Sequence, residues 1–255
     1  MEQNSYRAIF FDLDGTLLPI ELEVFMRRYM GALVGFVSSH GLDTEAFTKA
    51  LLFGVSTMSN NEGGRSNADV FWDVFYGMVE KGRETWAPLF EQFYEHEFNA
   101  IGSDIVPNPA VAESVKTLRQ KGYPLVCATM PMFPLAAVEW RIGWAGLKPD
   151  AFSRITHFEN STVSKPNPAY YKEILEATGL LPQDALMVGN DTGDDLACLE
   201  IGMDAYLVTD YLIDESGFDL STLKHGTFED FSDWAKTLPP CKNPATGIKT
   251  GLVSP

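Results

Sequence analysis

Ala8-Ile9-Phe10-Phe11-Asp12-Leu13-Asp14-Gly15-Thr16 decides how this chain of 255 residues is read. The apolar quartet Ala8 to Phe11 has the length and composition of a strand buried on both faces of a parallel sheet. Such strands deliver their last residues into a crevice at the carboxyl edge of an open α/β sheet. In extended backbone, residues i and i+2 project to one side, which sets Asp12 and Asp14 together. Two carboxylates so placed repel unless a cation or a shared proton intervenes. That costs stability, so the pair marks a place with chemical work to do. Gly15-Thr16 allows a sharp turn and adds a hydroxyl.

Beyond Thr16 the strand pattern stops. Apolar residues recur at helical spacing from Leu22, Phe25, Met26, Tyr29 and Leu33 through Phe71, Phe75 and Met78 to Leu89, Phe90, Phe93 and Tyr94. Residues 19–100 therefore read as an all-helical insert without a strand of its own. After Val106-Pro107-Asn108-Pro109 the pattern becomes helix, strand, helix, strand. Helices are expected over 110–121, 135–140, 168–178 and 194–201, the third ended by Gly179. Strands are expected over 124–128, 154–158, 185–188 and 205–208. This alternation predicts an α/β fold, a doubly wound, Rossmann-like parallel sheet formed by residues 1–18 and 101–238. The segment 239–255, rich in Pro, Gly and Lys, is expected to be a poorly ordered tail.

Composition narrows the partners. A formal charge of −16 disfavours nucleic acid, whose binding needs Lys and Arg to neutralise phosphates, and disfavours an anionic membrane surface. The amino terminus lacks the pattern of a signal peptide, and the most membrane-like stretch, 29–37, is too short to span a bilayer. Cys127, Cys198 and Cys241 are scattered without metal-ligand spacing and read as reduced thiols of a cytoplasmic protein. The chain is expected to be a monomer or homodimer.

Polar residues stand where the predicted strands end: Asp12 and Asp14, then Thr129, then Asn190 and Asp191. Lys165, in Ser164-Lys165-Pro166-Asn167-Pro168, precedes the helix between the third and fourth strands. Asp12 is the candidate nucleophile on phosphorus, and Asp14 the group that protonates the leaving oxygen and then deprotonates water. Mg²⁺ would hold a phosphate oxygen beside carboxylates that otherwise repel it, with Asp191 as a further ligand. Lys165 supplies a positive point charge, and Thr129 a hydroxyl for a non-bridging oxygen. The plainer alternatives are a turn device at Asp12-x-Asp14, a loop lysine at 165, and helix-dipole carboxylates at Asp191, Asp194 and Asp195.

Taken in this order the residues resemble the haloacid dehalogenase superfamily, chiefly its phosphatases. Asp12-x-Asp14-Gly15-Thr16 looks like the first motif, Thr129 the second, Lys165 the third, and Gly189-Asn190-Asp191 with Asp195 the fourth. The resemblance implies that the insert 19–100 is a helical cap closing over the site, and that Asp14 also binds Mg²⁺ through its backbone carbonyl. Two departures stand out. Met130 follows Thr129 where a polar residue is usual, and Asn190 stands where the fourth motif usually has Asp. The metal set is accordingly Asp12, Asp14 and Asp191, supported by Asp195, with Asn190 as the alternative ligand. Thr16 and Met130 are expected to bind substrate, as are Asn61 and Arg65 in a glycine-rich cap loop. Glu159 is a candidate for the cleft rim, whereas Arg27, Arg28 and Arg141 read as surface or packing residues. Asp14 disfavours the dehalogenase and phosphonatase branches; neither Lys49 nor Lys81 is then needed as a Schiff-base lysine. The implied activity is Mg²⁺-dependent hydrolysis of a phosphomonoester, a small phosphorylated metabolite, through an aspartyl-phosphate. The alternatives are a sugar-phosphate mutase or a non-catalytic binding protein that keeps the fold.

Overall fold

The structure is a computed structural model that describes residues 6–245. Six strands form one sheet: β1 (Ala8–Phe11), β2 (Leu125–Cys127), β3 (Arg154–Ile155), β4 (Ala185–Gly189), β5 (Asp204–Val208) and β6 (Lys224–Gly226). Their order is β3-β2-β1-β4-β5-β6, and every neighbouring pair is parallel. The winding reverses between β1 and β4, so a crevice opens where those two strands end. Asp12 follows one of them and Asn190 the other.

The residues of β1 divide between the two faces, as a period of two requires. Ile9 and Phe11 join Leu125, Cys127, Leu186 and Val188 in a core covered by α5 (Pro109–Gln120) and α8 (Phe228–Thr237). Ala8 and Phe10 join Val126, Met187 and Leu207 beneath α7 (Pro168–Thr178). Gly179, at φ +64°, closes α7 in the left-handed conformation.

Between β1 and β2 the chain forms α1 (Leu22–Ser39), α2 (Thr44–Ser59), α3 (Asn67–Met78) and α4 (Arg83–Gln92). A π-helical turn, Phe93–Glu97, and a 3₁₀ turn, Phe98–Gly102, complete this layer. Its aromatic residues pack on one another; the Phe47 ring lies 5.3 Å from Trp86, and Phe71 5.6 Å from Phe75. No helix among the described residues is long and apolar enough to cross a membrane.

Several elements differ from the sequence expectation. Helix α6 runs Leu135–Trp144, beyond residue 140. Strand β3 stops at Ile155, because Asn160 takes over the next backbone groups: its Nδ2 donates to the Ile155 carbonyl (2.9 Å) and its Oδ1 accepts from His157 N–H (3.0 Å). The helix expected from 194 is a 3₁₀ helix, Leu196–Ile201. Strand β6 and helix α8 were not anticipated, although Thr227 and Asp230 form a reciprocal capping box at the start of α8. The segment 239–245 is not a loose tail. Cys241 N–H donates to the Lys121 carbonyl (2.7 Å) and the Arg7 guanidinium to the Asn243 carbonyl (2.9 Å). The rest of that expected tail, 246–255, lies outside the described residues.

Candidate active site

The crevice above β1 and β4 continues into a cleft of about 850 Å³ between the sheet edge and the helical layer. Asp12, Asp14, Thr129, Met130, Lys165, Asn190, Asp191, Asp194 and Asp195 all line it. Asp12 leaves β1 with its N–H bonded to the Val188 carbonyl (2.9 Å), which fixes where its side chain emerges. Gly15, at φ +80°, turns the chain immediately after Asp14; a Cβ there would collide with the Asn190 amide.

Lys165 reaches in from the loop before α7. Its Nζ donates to Asp12 Oδ1 and to Asp195 Oδ1, both at 2.7 Å, and its side chain is only 1% exposed. The other Asp195 oxygen accepts from the backbone N–H groups of Asn190 (2.9 Å) and Asp191 (3.0 Å). Asp195 thus shapes the loop after β4 while holding Lys165. Gly189 has no space for a side chain, since a Cβ would fall inside the Asp195 carboxylate.

Asn190 is engaged at both ends. Its Oδ1 accepts from Thr16 Oγ1 (2.9 Å), and its Nδ2 donates to the Tyr211 carbonyl (2.6 Å). Asp191 Oδ1 accepts from Gly193 N–H (2.7 Å) and Asp194 N–H (2.9 Å). The Thr129 carbonyl accepts from the Tyr170 hydroxyl at 2.8 Å.

Arg141, from the middle of α6, is the residue that the sequence reading misplaced. It neither lies on the surface nor merely packs: it is 1% exposed, lines the cleft, and donates through Nη1 to Asp14 Oδ2. The guanidinium stacks over Phe133, 4.6 Å from the ring centre, and near Phe25 at 5.4 Å. A signal was present, because Ala137, Val138, Ile142 and Trp144 place position 141 on the buried stripe of α6. A charge there needs a partner.

Electrostatics follow from crowding. Burial pushes Asp12 up to about 8, against the pull of Lys165 and with the push of Asp195. Burial also raises Asp14, opposed by the charge and hydrogen bond of Arg141. Burial lowers Lys165, but Asp12 and Asp195 outweigh it and hold the ammonium charged. Asp194 is raised to about 6, chiefly by burial. Carboxylates exceed the cations at hand, and the crowding favours their neutral forms.

The family description "haloacid dehalogenase-like hydrolase" matches residues 6–202. The chain belongs to the haloacid dehalogenase-like hydrolases. Among related proteins, a phosphoglycolate phosphatase of Psychrobacter arcticus is 27% identical over 126 residues, covering 49% of this chain and 53% of that protein. A phosphoglycolate phosphatase of Vibrio vulnificus YJ016 is 24% identical over 218 residues, or 82% and 86% of the two chains. The match to the first spans about half of that relative's length, and the match to the second most of it. The crystal structure of a predicted phosphoglycolate phosphatase from Haemophilus somnus 129pt superposes with a TM-score of 0.55 at 20% identity. That superposition covers 90% of this chain and 98% of the other. The chain is a phosphatase-like member of the family with a Rossmann-like core.

A divalent ion such as Mg²⁺ would need oxygen ligands in this cleft. Among the described residues no three His, Cys, Asp or Glu side chains converge as a ready cage. Mg²⁺ is commonly held by one or two carboxylates, with waters and substrate phosphate completing the shell. The residues fit that lesser demand: Asp14 Oδ1 is a buried acceptor with no partner, and Asp12 and Asp191 line the same cleft.

The hydrolase does not bring every expected residue to the cleft. Thr16 is buried behind it as the donor to Asn190. Asn61 spends its amide on the Arg65 carbonyl (3.0 Å) and Asn67 Oδ1 (2.9 Å), and Arg65 is paired with Asp73 (2.7 Å); neither lines the cleft. Glu159 does line it, bonded to His157 (2.5 Å). Asn67, fully buried, was overlooked. It joins the helical layer to the sheet loops, donating to the Pro131 carbonyl (3.1 Å) and Ser164 Oγ (3.2 Å), while its N–H donates to the Ser161 carbonyl (2.8 Å).

Proposed function

We propose that this hydrolase is a Mg²⁺-dependent phosphomonoesterase that works through an aspartyl-phosphate on Asp12, under residues 19–100 acting as a cap. The observation that carries the reading is one constellation at the switch point. Asp12 is held by Lys165 at 2.7 Å, and beside it Asp14 offers a buried, unpartnered Oδ1 to the same cleft.

An Asp12 carboxylate oxygen attacks phosphorus while the bond to the leaving alcohol oxygen breaks. Asp14, which burial biases towards its protonated form, gives its proton to that oxygen. A water then attacks the acyl phosphate as Asp14 takes back a proton. Phosphate departs, and the Asp12 carboxylate is regenerated. Lys165 keeps the nucleophile in place and balances part of the incoming charge, and Thr129, which lines the cleft, would donate to a phosphate oxygen. Bound Mg²⁺ would be held by Asp12, Asp14 and Asp191, where its charge offsets the repulsion between carboxylates and phosphate. Asp195 acts behind these groups by fixing Lys165 and the loop after β4.

Retention of Asp14 favours ester hydrolysis over dehalogenation, since a halide leaves without a proton and an alkoxide does not. The deciding experiment replaces Asp12 by Asn and assays an aryl phosphate with Mg²⁺. Hydrolysis should vanish with the circular dichroism spectrum unchanged, and acid-quenched wild-type enzyme should carry one phosphoryl group. Full activity in Asp12→Asn would sink the assignment.

A further inference from the structure

We infer that the cleft takes phosphate monoesters of bulky apolar alcohols or phenols whose bodies carry no second negative charge. The inference rests on the phosphomonoesterase reading for the reacting end and on the rest of the cleft for the leaving group.

Size comes first. About 850 Å³ lies near the upper end of the range for drug-sized ligands, far more than a two-carbon acid phosphate fills. Chemistry comes second. Away from the Asp12 end the walls are side chains such as Met26, Leu51, Val55, Phe71, Trp72 and Phe133, drawn from the helical layer and the loop before α6. Leu22 and Leu52 also line the cleft, and they are 45% and 56% exposed. Large apolar side chains left open to solvent at a pocket mouth gain by being covered with an apolar ligand.

Charge comes third. Asp69, Glu91 and Glu95 line the part contributed by the helical layer. The basic residues lining the cleft, among those described, are Arg83, Arg141 and Lys165. Lys165 is committed to Asp12 and Asp195, and Arg141 gives Nη1 to Asp14 at the reacting end and keeps only Nη2 unpaired there. That leaves Arg83 as the one basic lining residue set against Asp69, Glu91 and Glu95 in the helical part, among those described. A carboxylate or second phosphate on the leaving group would lie among like charges in a partly desolvated space, where such repulsion is strong. A neutral apolar body meets no such penalty. The phosphoglycolate of the relatives' names carries that unfavourable carboxylate on a body too small for the walls.

The test uses the full-length protein with Mg²⁺ and a series of alkyl phosphates from ethyl to octyl, with phenyl phosphate, 1-naphthyl phosphate and 2-phosphoglycolate. The matching alkylphosphonates are titrated in parallel by calorimetry. The inference expects kcat/KM to rise about fourfold per methylene over the first members, the factor for burying a CH₂. It expects 2-phosphoglycolate to fall at least tenfold below hexyl phosphate, and phosphonate affinities to tighten along the same series. Leu52→Asp should shrink the gain per methylene. A flat or falling series, a preference for 2-phosphoglycolate, or an unchanged gain in Leu52→Asp would overturn it. No turnover of any ester, with phosphonates still tightening along the series, would sink the phosphomonoesterase reading and leave the apolar specificity standing.

Discussion

Arg141 Nη1 donates to Asp14 Oδ2, tying the middle of α6 to the turn after β1 inside the cleft. The pair leaves one atom free on each partner, Arg141 Nη2 and Asp14 Oδ1, both buried and without hydrogen-bond partners. Arg141 therefore spends one arm on holding the proposed acid in place and keeps the other for whatever enters. The price is a guanidinium buried among Phe25, Phe133 and the carboxylates.

Removing one member of a buried ion pair strands the other, at about 3–5 kcal/mol. Arg141→Met should therefore destabilise by about that much in urea denaturation. The double variant Arg141→Met/Asp14→Asn should recover much of the loss, because the stranded charge is gone, yet remain inactive. Strictly additive losses would show that the two side chains are not coupled.

Asn190 and Asp191 separate by their hydrogen bonds. Asn190→Asp keeps the acceptor for Thr16 but turns an oxygen towards the Tyr211 carbonyl where an N–H stood. It should cost about 1–3 kcal/mol of stability, the penalty for a buried polar group left unpaired, without tightening Mg²⁺. Asp191→Asn should raise the Mg²⁺ concentration for half-maximal activity at least tenfold. Tighter Mg²⁺ binding in Asn190→Asp would move the ligand to position 190.

Asn67 anchors α3 to the loops carrying Pro131, Ser161 and Ser164. Asn67→Ala should cost about 1–3 kcal/mol and loosen the helical layer over the cleft. Steady-state kinetics should show KM rising more than kcat falls. An unchanged KM would mean that the latch is structural only.

The Tyr29 and Tyr94 hydroxyls, on two residues that line the cleft, share a hydrogen bond of 2.8 Å. Burial pushes Tyr29 up to about 12, against smaller opposing effects of Tyr94 and Arg141. A folded value above the unfolded one of about 10 means stability fully present below pH 10 and lost as pH rises through 12. The urea midpoint should hold to pH 9 and fall above pH 10, and Tyr29→Phe should make that fall shallower. The same slope in wild type and variant would remove Tyr29 from the account.

The fold was largely legible because periodicity reports burial. Ala8 to Phe11 and Ala185 to Val188 are apolar on both faces, and both lie in the centre of the sheet. Strand β6, with Lys224 and His225 exposed at the sheet edge, carries no such signal. The first-motif carboxylates and Lys165 could be placed at strand and helix boundaries, and they do meet. Arg65 could not be judged that way: its partner, Asp73, lies across a loop and a helix turn, and it is Asp73 that lines the cleft while Arg65 does not.

By itself the sequence determined the parallel sheet, the all-helical layer between β1 and β2, and the set of polar residues delivered to one sheet edge. Those follow from local spacing, which is fixed along the chain. The tertiary structure alone decided who pairs with whom: Arg141 with Asp14, Asn190 with Thr16 and Tyr211, Asn67 with the sheet loops. Each of these joins residues far apart in sequence, in a buried setting where an unpaired polar group is costly. Only packing in three dimensions decides which partner is near enough to relieve that cost.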